Sequence, residues 1–336
     1  MKTRSAYLRA PWQVELRSVE LPDTPPAGYA LVRIEACGVC GSDLANAAKH
    51  ATDWKAFGHE IAGVVEAVAD PGASVQVGTK VVLESSSFCG HCALCRDGRT
   101  DLCAKAPNFW SQPAMGFADR MLAPLACLVP YTGLTPEVAS LAEPAGVSYD
   151  LVKTADIQLG DRVCILGPGP IGLMAIPLAA SRAAGAVTCI GPSHSTRRLE
   201  VAQALGATAI ALDAALDTRT DLRGNFDRVL VTAPVATIPP ALSLLSYGGI
   251  LTYLGMGVAD SRITFDANDF HHRKLQLRAS FASPALYFPA VLRLLQTGVI
   301  PGQRIISHRF PLAEITEALR IHREDKAHTV KTVVIP

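Results

Sequence analysis

The chain has 336 residues, 49% of them hydrophobic and 18% charged, with 31 Lys plus Arg against 30 Asp plus Glu and a formal net charge of +1. That length suggests about two domains, whose cores need no disulfide help. The balanced charge argues against nucleic acid or an anionic membrane surface as the main partner. No segment reads as a signal peptide or a membrane span, and there are no charge blocks or low-complexity tracts, so a soluble cytoplasmic globular protein is expected.

Residues 1–145 carry short β-branched runs broken by Gly and Pro, such as Ala30–Ile34 and Ile61–Val65, which predict a compact, mostly β domain. From 146 to 283 the rhythm becomes strand, glycine turn, helix. Asp161–Leu166 reads as a buried strand, Ile171–Ala184 as a helix, Val187–Ile190 as a strand, and Arg197–Leu205 as a helix ended by Gly206. Arg228–Val231 and Gly249–Leu254 continue the pattern. Alternation of this kind predicts an α/β fold with a doubly wound parallel sheet covered on both faces. In the tail, Pro311 is expected to open a helix with Leu312, Ile315 and Leu319 on one face, and Lys331–Ile335 to form a closing strand. Such a tail can return to the first domain, giving domains of 1–145 with 284–336, and 146–283.

Nine cysteines without a secretion signal favour metal or reduced thiols over disulfides. Cys89, Cys92, Cys95 and Cys103 crowd into fifteen positions. Two x2 gaps and an x7 arm let four thiolates close on one tetrahedral zinc with no open position, the pattern of a structural site, with an iron–sulfur cluster as the competitor. His91 lies inside this lobe as a bystander. Cys127, Cys164 and Cys189 read as buried apolar residues.

A second set looks open. Cys40, Ser42, Asp43, His59, Glu60 and Glu143 offer sulfur, nitrogen and oxygen donors, a mixture suited to a catalytic zinc that keeps a position for water or substrate. Spacing alone is weak evidence here. Asp43 is a candidate acceptor for orienting the His59 ring.

Gly167-Pro168-Gly169-Pro170-Ile171-Gly172 follows a predicted strand and opens a predicted helix, the context that makes G-x-G-x-x-G a dinucleotide turn. The helix N-terminus would face the phosphates. After the next strand comes Ser193-His194-Ser195-Thr196-Arg197-Arg198, with no acid before Glu200. Ser193, Arg197 and Arg198 suit a 2′-phosphate, so NADP is expected and NAD remains open.

Taken together, these motifs resemble the zinc-dependent medium-chain dehydrogenase/reductase family, nearest its sorbitol and threonine dehydrogenases. The residues carrying the resemblance are Cys37–Asp43, Gly58-His59-Glu60, the four-cysteine lobe, Glu143-Pro144 and the glycine turn. The resemblance implies a GroES-like catalytic domain built from both chain ends, a Rossmann domain between them, and a cleft at their junction. It implies Cys40, His59, Glu60 and Glu143 around a catalytic zinc, Cys37 being no ligand, with Glu60 and Glu143 exchanging direct and water-mediated roles. Glu143, where alcohol dehydrogenases carry Cys, points to the polyol subgroup. Two zinc ions per chain and a homodimer or homotetramer follow from the same likeness.

The expected reaction is oxidation of a secondary alcohol in a polyol, sugar alcohol or cyclitol to a ketone, with hydride passing to NAD(P). Zinc would supply Lewis acidity and Ser42 would relay the hydroxyl proton. The family often has His two residues after Asp43, where this chain has Ala45, so either His50 or water must complete the relay. An amino-alcohol (threonine-type) dehydrogenase and a non-catalytic NADPH-binding protein are the alternatives. Arg278 and Ser283 are expected to line the substrate pocket.

Overall fold

A computed structural model describes residues 1–255 and 261–336. The chain divides into two units: residues 1–146 with 282–325 and 331–336, and residues 147–281 with 326–330. The short segment 326–330, which the sequence reading assigns to the catalytic domain, clusters with the second unit.

In the first unit, a seven-stranded sheet is centred on Tyr29–Gly38, which pairs antiparallel with Glu60–Val68, Arg120–Pro124 and the closing strand Lys331–Ile335. Lys80–Leu83 and Leu128–Pro130 extend it on one side, and Ile306–Pro311 on the other. A smaller sheet joins Lys2–Arg9 to Gln13–Glu20 and Lys55–Ala56. The alternation Ala30, Val32, Ile34 buries side chains together with Phe109, Phe117 and Met121 in one apolar core.

Register in this sheet decides what meets at its end. Val333 lies opposite Gly38 and Val334 opposite Cys37, while on the other side Gly38 faces Glu60 and Cys37 faces Ile61. Two register shifts along the Tyr29–Gly38 and Glu60–Val68 pairing bend the strands before they reach these residues.

The second unit is a six-stranded parallel sheet. Its spatial order is Thr208–Ala211, Ala186–Gly191, Arg162–Leu166, Phe226–Val231, Leu245–Tyr253 and Gln276–Ala279. In chain order this is 3-2-1-4-5-6, the doubly wound arrangement whose first turn binds dinucleotides. Central strands such as Val163-Cys164-Ile165-Leu166 are buried throughout, as both-face coverage requires. The helix Pro170–Ser181 is apolar on nearly every side and carries Pro at its first position, where a missing N–H costs nothing.

The tail differs from its sequence reading in one respect. Pro311 ends the strand Ile306–Pro311 in an extended conformation, a 3₁₀ turn follows at Leu312–Glu314, and the helix runs Ile315–Glu324. Pairing of Pro311 with Ile335 holds it in the sheet, so its helix-starting tendency is overridden.

Glu84, just beyond the strand Lys80–Leu83, is 6% exposed, and burial raises its carboxyl from 4.5 to about 7 against a modest opposing hydrogen bond from Ser87. The folded protein therefore keeps a proton that the unfolded chain releases above about pH 4.5. Stability from this group is complete below that pH and is lost as pH rises through 7, by up to about 3 kcal/mol. Glu84→Gln should flatten the slope of Tm between pH 5 and 8; an unchanged slope would show that Glu84 does not cause it.

Candidate metal centres and dinucleotide turn

The four-cysteine lobe is held by a short helix, Ala93–Arg96, and a 3₁₀ turn, Thr100–Leu102, which face its sulfurs inward. The Sγ atoms of Cys89, Cys92, Cys95 and Cys103 all lie within 4.8 Å of one another, with Cys89–Cys95 and Cys92–Cys103 at 4.0 Å. A tetrahedron with arms of about 2.3 Å has edges near 3.8 Å, so the spacing matches four Zn–S bonds. It is far too long for disulfides. Backbone N–H groups point at the sulfurs, including Cys89 N to Cys103 Sγ and Cys92 N to Cys89 Sγ, each 3.3 Å. The N–H groups of Cys95 and Ala104 draw the Cys92 thiol down to about 6. These donors favour thiolates, and a zinc ion fits them. His91 turns Nδ1 to the Cys89 carbonyl at 2.8 Å, outside the sulfur set.

The second donor set forms where three strands of the seven-stranded sheet meet, at Gly38, Glu60 and Lys331. Cys40 stands at the N-terminus of the helix Gly41–Ala45, and its N–H donates to Asp43 Oδ2 at 2.9 Å. Gly58 enters the next strand with φ of +93°, and a Cβ there would strike the Phe117 ring at 2.7 Å. Only glycine lets the chain turn at that point and deliver His59 and Glu60 in sequence. Ligand atoms of Cys40, His59 and Glu60 lie within 4.8 Å of one another.

Charge at this cluster is strongly unbalanced toward anions. Burial alone would lower the His59 imidazole, yet Cys40, Asp43 and Glu143 together hold it well above its ordinary value. Burial and the neighbouring Glu60 and Asp43 push Glu143 up to about 7, against the pull of His59 and Lys331. Both oxygens of the buried Glu60 carboxylate have one cationic neighbour, the Lys331 ammonium. A buried carboxylate, a sulfur and an imidazole gathered at one point fit a divalent cation of mixed ligand preference, as zinc is. Cys37, by contrast, is completely buried, and burial with Asp43 and Glu60 nearby keeps it a thiol.

Asp43 Oδ1 faces His59 Nδ1 at 3.8 Å, within ion-pair range but longer than a hydrogen bond. Ser42 lies partly exposed in the first turn of the same helix, and His50 is exposed at the end of the π-helical turn Asn46–His50. The Trp110 ring packs on His59 with centroids 5.4 Å apart and is half exposed, forming an aromatic wall beside the donors. Lys331 also reaches this site, with Nζ on the Glu60 carboxylate and on the Val39 carbonyl. Sequence reading missed it because its place depends on the antiparallel return of the last strand.

The glycine turn joins the strand Arg162–Leu166 to the helix Pro170–Ser181, with Gly169 at the cap and Pro170 and Ile171 opening the first turn. Gly167 adopts φ of +105°, and a Cβ at Gly172 would collide with the Gly167 carbonyl, so helix and strand pack closely there. A Cβ at Gly169 would meet nothing within 4 Å, which leaves its backbone open to a ligand. Thr232 Oγ1 donates to the Gly167 carbonyl at 2.7 Å and fixes the turn.

The residues expected to hold a 2′-phosphate each have partners within the protein. Arg198 is half buried, with Nε on the Thr329 carbonyl at 2.7 Å, and Arg197 is exposed and pairs with Glu200 at 3.3 Å. Ser193 is exposed, and its N–H donates to the Asp213 carboxylate at 2.8 Å. Asp213 follows the third strand rather than the second, so a search for an acid after Gly191 passes over it. Parallel register, Gly191 opposite Ala211, brings the two strand ends together. Arg278 is likewise committed, to the Thr154 carbonyl at 3.0 Å, and Ser283 Oγ lies 2.7 Å from Ser86 Oγ.

A GroES-like unit with two clustered donor sets and a Rossmann unit with a dinucleotide turn define a zinc-dependent dehydrogenase. The chain belongs to the zinc-dependent medium-chain dehydrogenase/reductase family: residues 26–133 match the model for the alcohol dehydrogenase GroES-like domain, and residues 170–297 that for zinc-binding dehydrogenases. It is 33% identical over 308 residues to D-altritol 5-dehydrogenase of Agrobacterium fabrum, covering 88% of this chain and 89% of that relative. It is 27% identical to L-galactonate-5-dehydrogenase of Escherichia coli, covering 96% of each. A crystal structure of a putative zinc-binding dehydrogenase from Sinorhizobium meliloti bound to NADP superposes with a TM-score of 0.88, 26% identity and full coverage of both chains. Among the described residues, no helix is long and apolar enough to cross a membrane.

Proposed function

We propose that this enzyme oxidises a secondary hydroxyl of a polyhydroxylated small molecule to a ketone, passing hydride to NAD(P). The observation that carries this reading is the Cys40–His59–Glu60 cluster, an incomplete donor set of mixed chemistry whose ligand atoms lie within 4.8 Å of one another. Zinc bound there would supply Lewis acidity toward the substrate oxygen. Cys40 and His59 would hold the cation, Asp43 fixes the Cys40 backbone and faces the His59 ring, and Glu143 would add a carboxylate from the helix Ala142–Thr154. Ser42, partly exposed in the turn after Cys40, takes the hydroxyl proton. Relatives named for acting on carbon 5 of altritol or galactonate, or on carbon 4 of arabinitol, support an internal hydroxyl of a sugar-derived chain as the reacting group. The half-exposed Trp110 ring suits the C–H face of such a chain.

A screen of hexitols, pentitols, aldonates, cyclitols and threonine, each with NAD and NADP, tests the proposal. Turnover confined to polyhydroxylated substrates supports it, and turnover of threonine alone would overturn the substrate class.

For the dinucleotide, Asp213 beside Ser193 places negative charge at the end of the second strand, where a 2′-phosphate would be repelled and a ribose diol accepted. Asp213→Asn should raise kcat/KM with NADP relative to NAD by about tenfold, the effect of about 1.4 kcal/mol of relieved repulsion. An unchanged ratio would remove Asp213 from cofactor selection.

A further inference from the structure

Lys331 is 2% exposed, in a closing strand whose next two core positions are Val333 and Val334. A buried ammonium in such a strand needs a partner of opposite charge and satisfied donors. Its Nζ donates to the Val39 carbonyl at 2.7 Å, on the peptide just before Cys40, and to Glu60 Oε1. Glu60 Oε2 also lies in ion-pair range of Nζ but receives no hydrogen bond of its own. Space for the pair exists because residue 38 is glycine. A Cβ there would overlap the Glu60 carboxylate and approach Lys331 Cε to 2.9 Å.

Glu60 therefore has two competing claims on one carboxylate: the Cys40–His59 donor set on one side and Lys331 on the other. We propose that Lys331 is a positioning residue that competes with the catalytic cation for Glu60, keeping this carboxylate an exchangeable ligand rather than a permanent one. Without the ammonium, the buried Glu60 charge has one remaining cation to satisfy it, so Glu60 stays on the metal as an added ligand and crowds the position that substrate needs. An ordinary supporting partner of a metal ligand acts the other way, since its loss weakens metal binding.

The inference rests on the catalytic-metal reading, and cobalt in the catalytic site, with zinc retained in the four-cysteine site, separates the two. Lys331→Met should lower the intensity of the visible cobalt bands, as a fifth ligand does, and slow cobalt release to a chelator by roughly tenfold or more. Lys331→Arg should keep the wild-type spectrum, and the double variant Lys331→Met with Glu60→Gln should return to it. Lys331→Gln, which keeps an N–H donor without charge, serves if the Met variant does not fold. A spectrum and release rate unchanged in folded uncharged variants, or faster release, would overturn the role of Lys331. Cobalt bound equally well by Cys40→Ser would instead overturn the metal reading itself.

Discussion

Cys40→Ser is expected to lower kcat/KM by roughly 10³-fold or more, because a Lewis acid contributes several kcal/mol to stabilising charge on the substrate oxygen. Serine is a poor substitute because its hydroxyl does not ionise at neutral pH as a thiol near a cation does. The change is confined to the metal. At the start of its five-residue helix the side chain also faces the Asp43 backbone N–H in a capping box, a place a serine oxygen can fill, and the Cys40 N–H to Asp43 bond survives. The glycine turn 167–172 belongs to the other unit, so dinucleotide binding followed by fluorescence should persist. Elemental analysis should find zinc reduced from two ions per chain to one. Full activity with one zinc would refute the role assigned to Cys40.

Cys95→Ser addresses the other centre, and here the expected loss is of structure. Cys95 is the buried member of the four, and burial raises its thiol to about 12, so a cation is needed to hold it as the thiolate. The lobe has little else to hold it: a four-residue helix, a three-residue turn and exposed side chains such as Leu102. Zinc binding in small thiolate sites is worth on the order of 10 kcal/mol, which is folding free energy for the segment that supplies the ligands. The variant should lose one zinc per chain, become protease-sensitive between residues 89 and 103, and melt at lower temperature. Unchanged protease resistance would show that the lobe stands without its metal.

Much of this architecture could be read from local pattern. Strand–glycine–helix alternation placed the parallel sheet, because a strand buried on both faces is written as a continuous apolar run. The cysteine lobe was legible because its four ligands lie within fifteen positions. His59 was different: composition gave it little weight, and the joint order of motifs along the chain raised it. What escaped depends on register between distant segments. Lys331 reaches Glu60 across 271 positions, and Asp213 reaches Ser193 across 20, through strand pairings that neither segment encodes alone. The arginines after the second strand show a related dependence. Their chemistry suits phosphate, but Arg198 is engaged by the carbonyl of Thr329, in a segment far along the chain.

The placement of the last strand has a consequence for how the molecule is made. Lys331–Ile335 sits between Ile306–Pro311 and Tyr29–Gly38 in the finished sheet, so a growing polypeptide displays Cys40, His59 and Glu60 long before their sheet can close. Strands 162–279 emerge as a continuous block and can assemble on the ribosome while the first block waits. Loss of residues 331–336 would leave a gap inside a sheet and strand Glu60 without its ammonium.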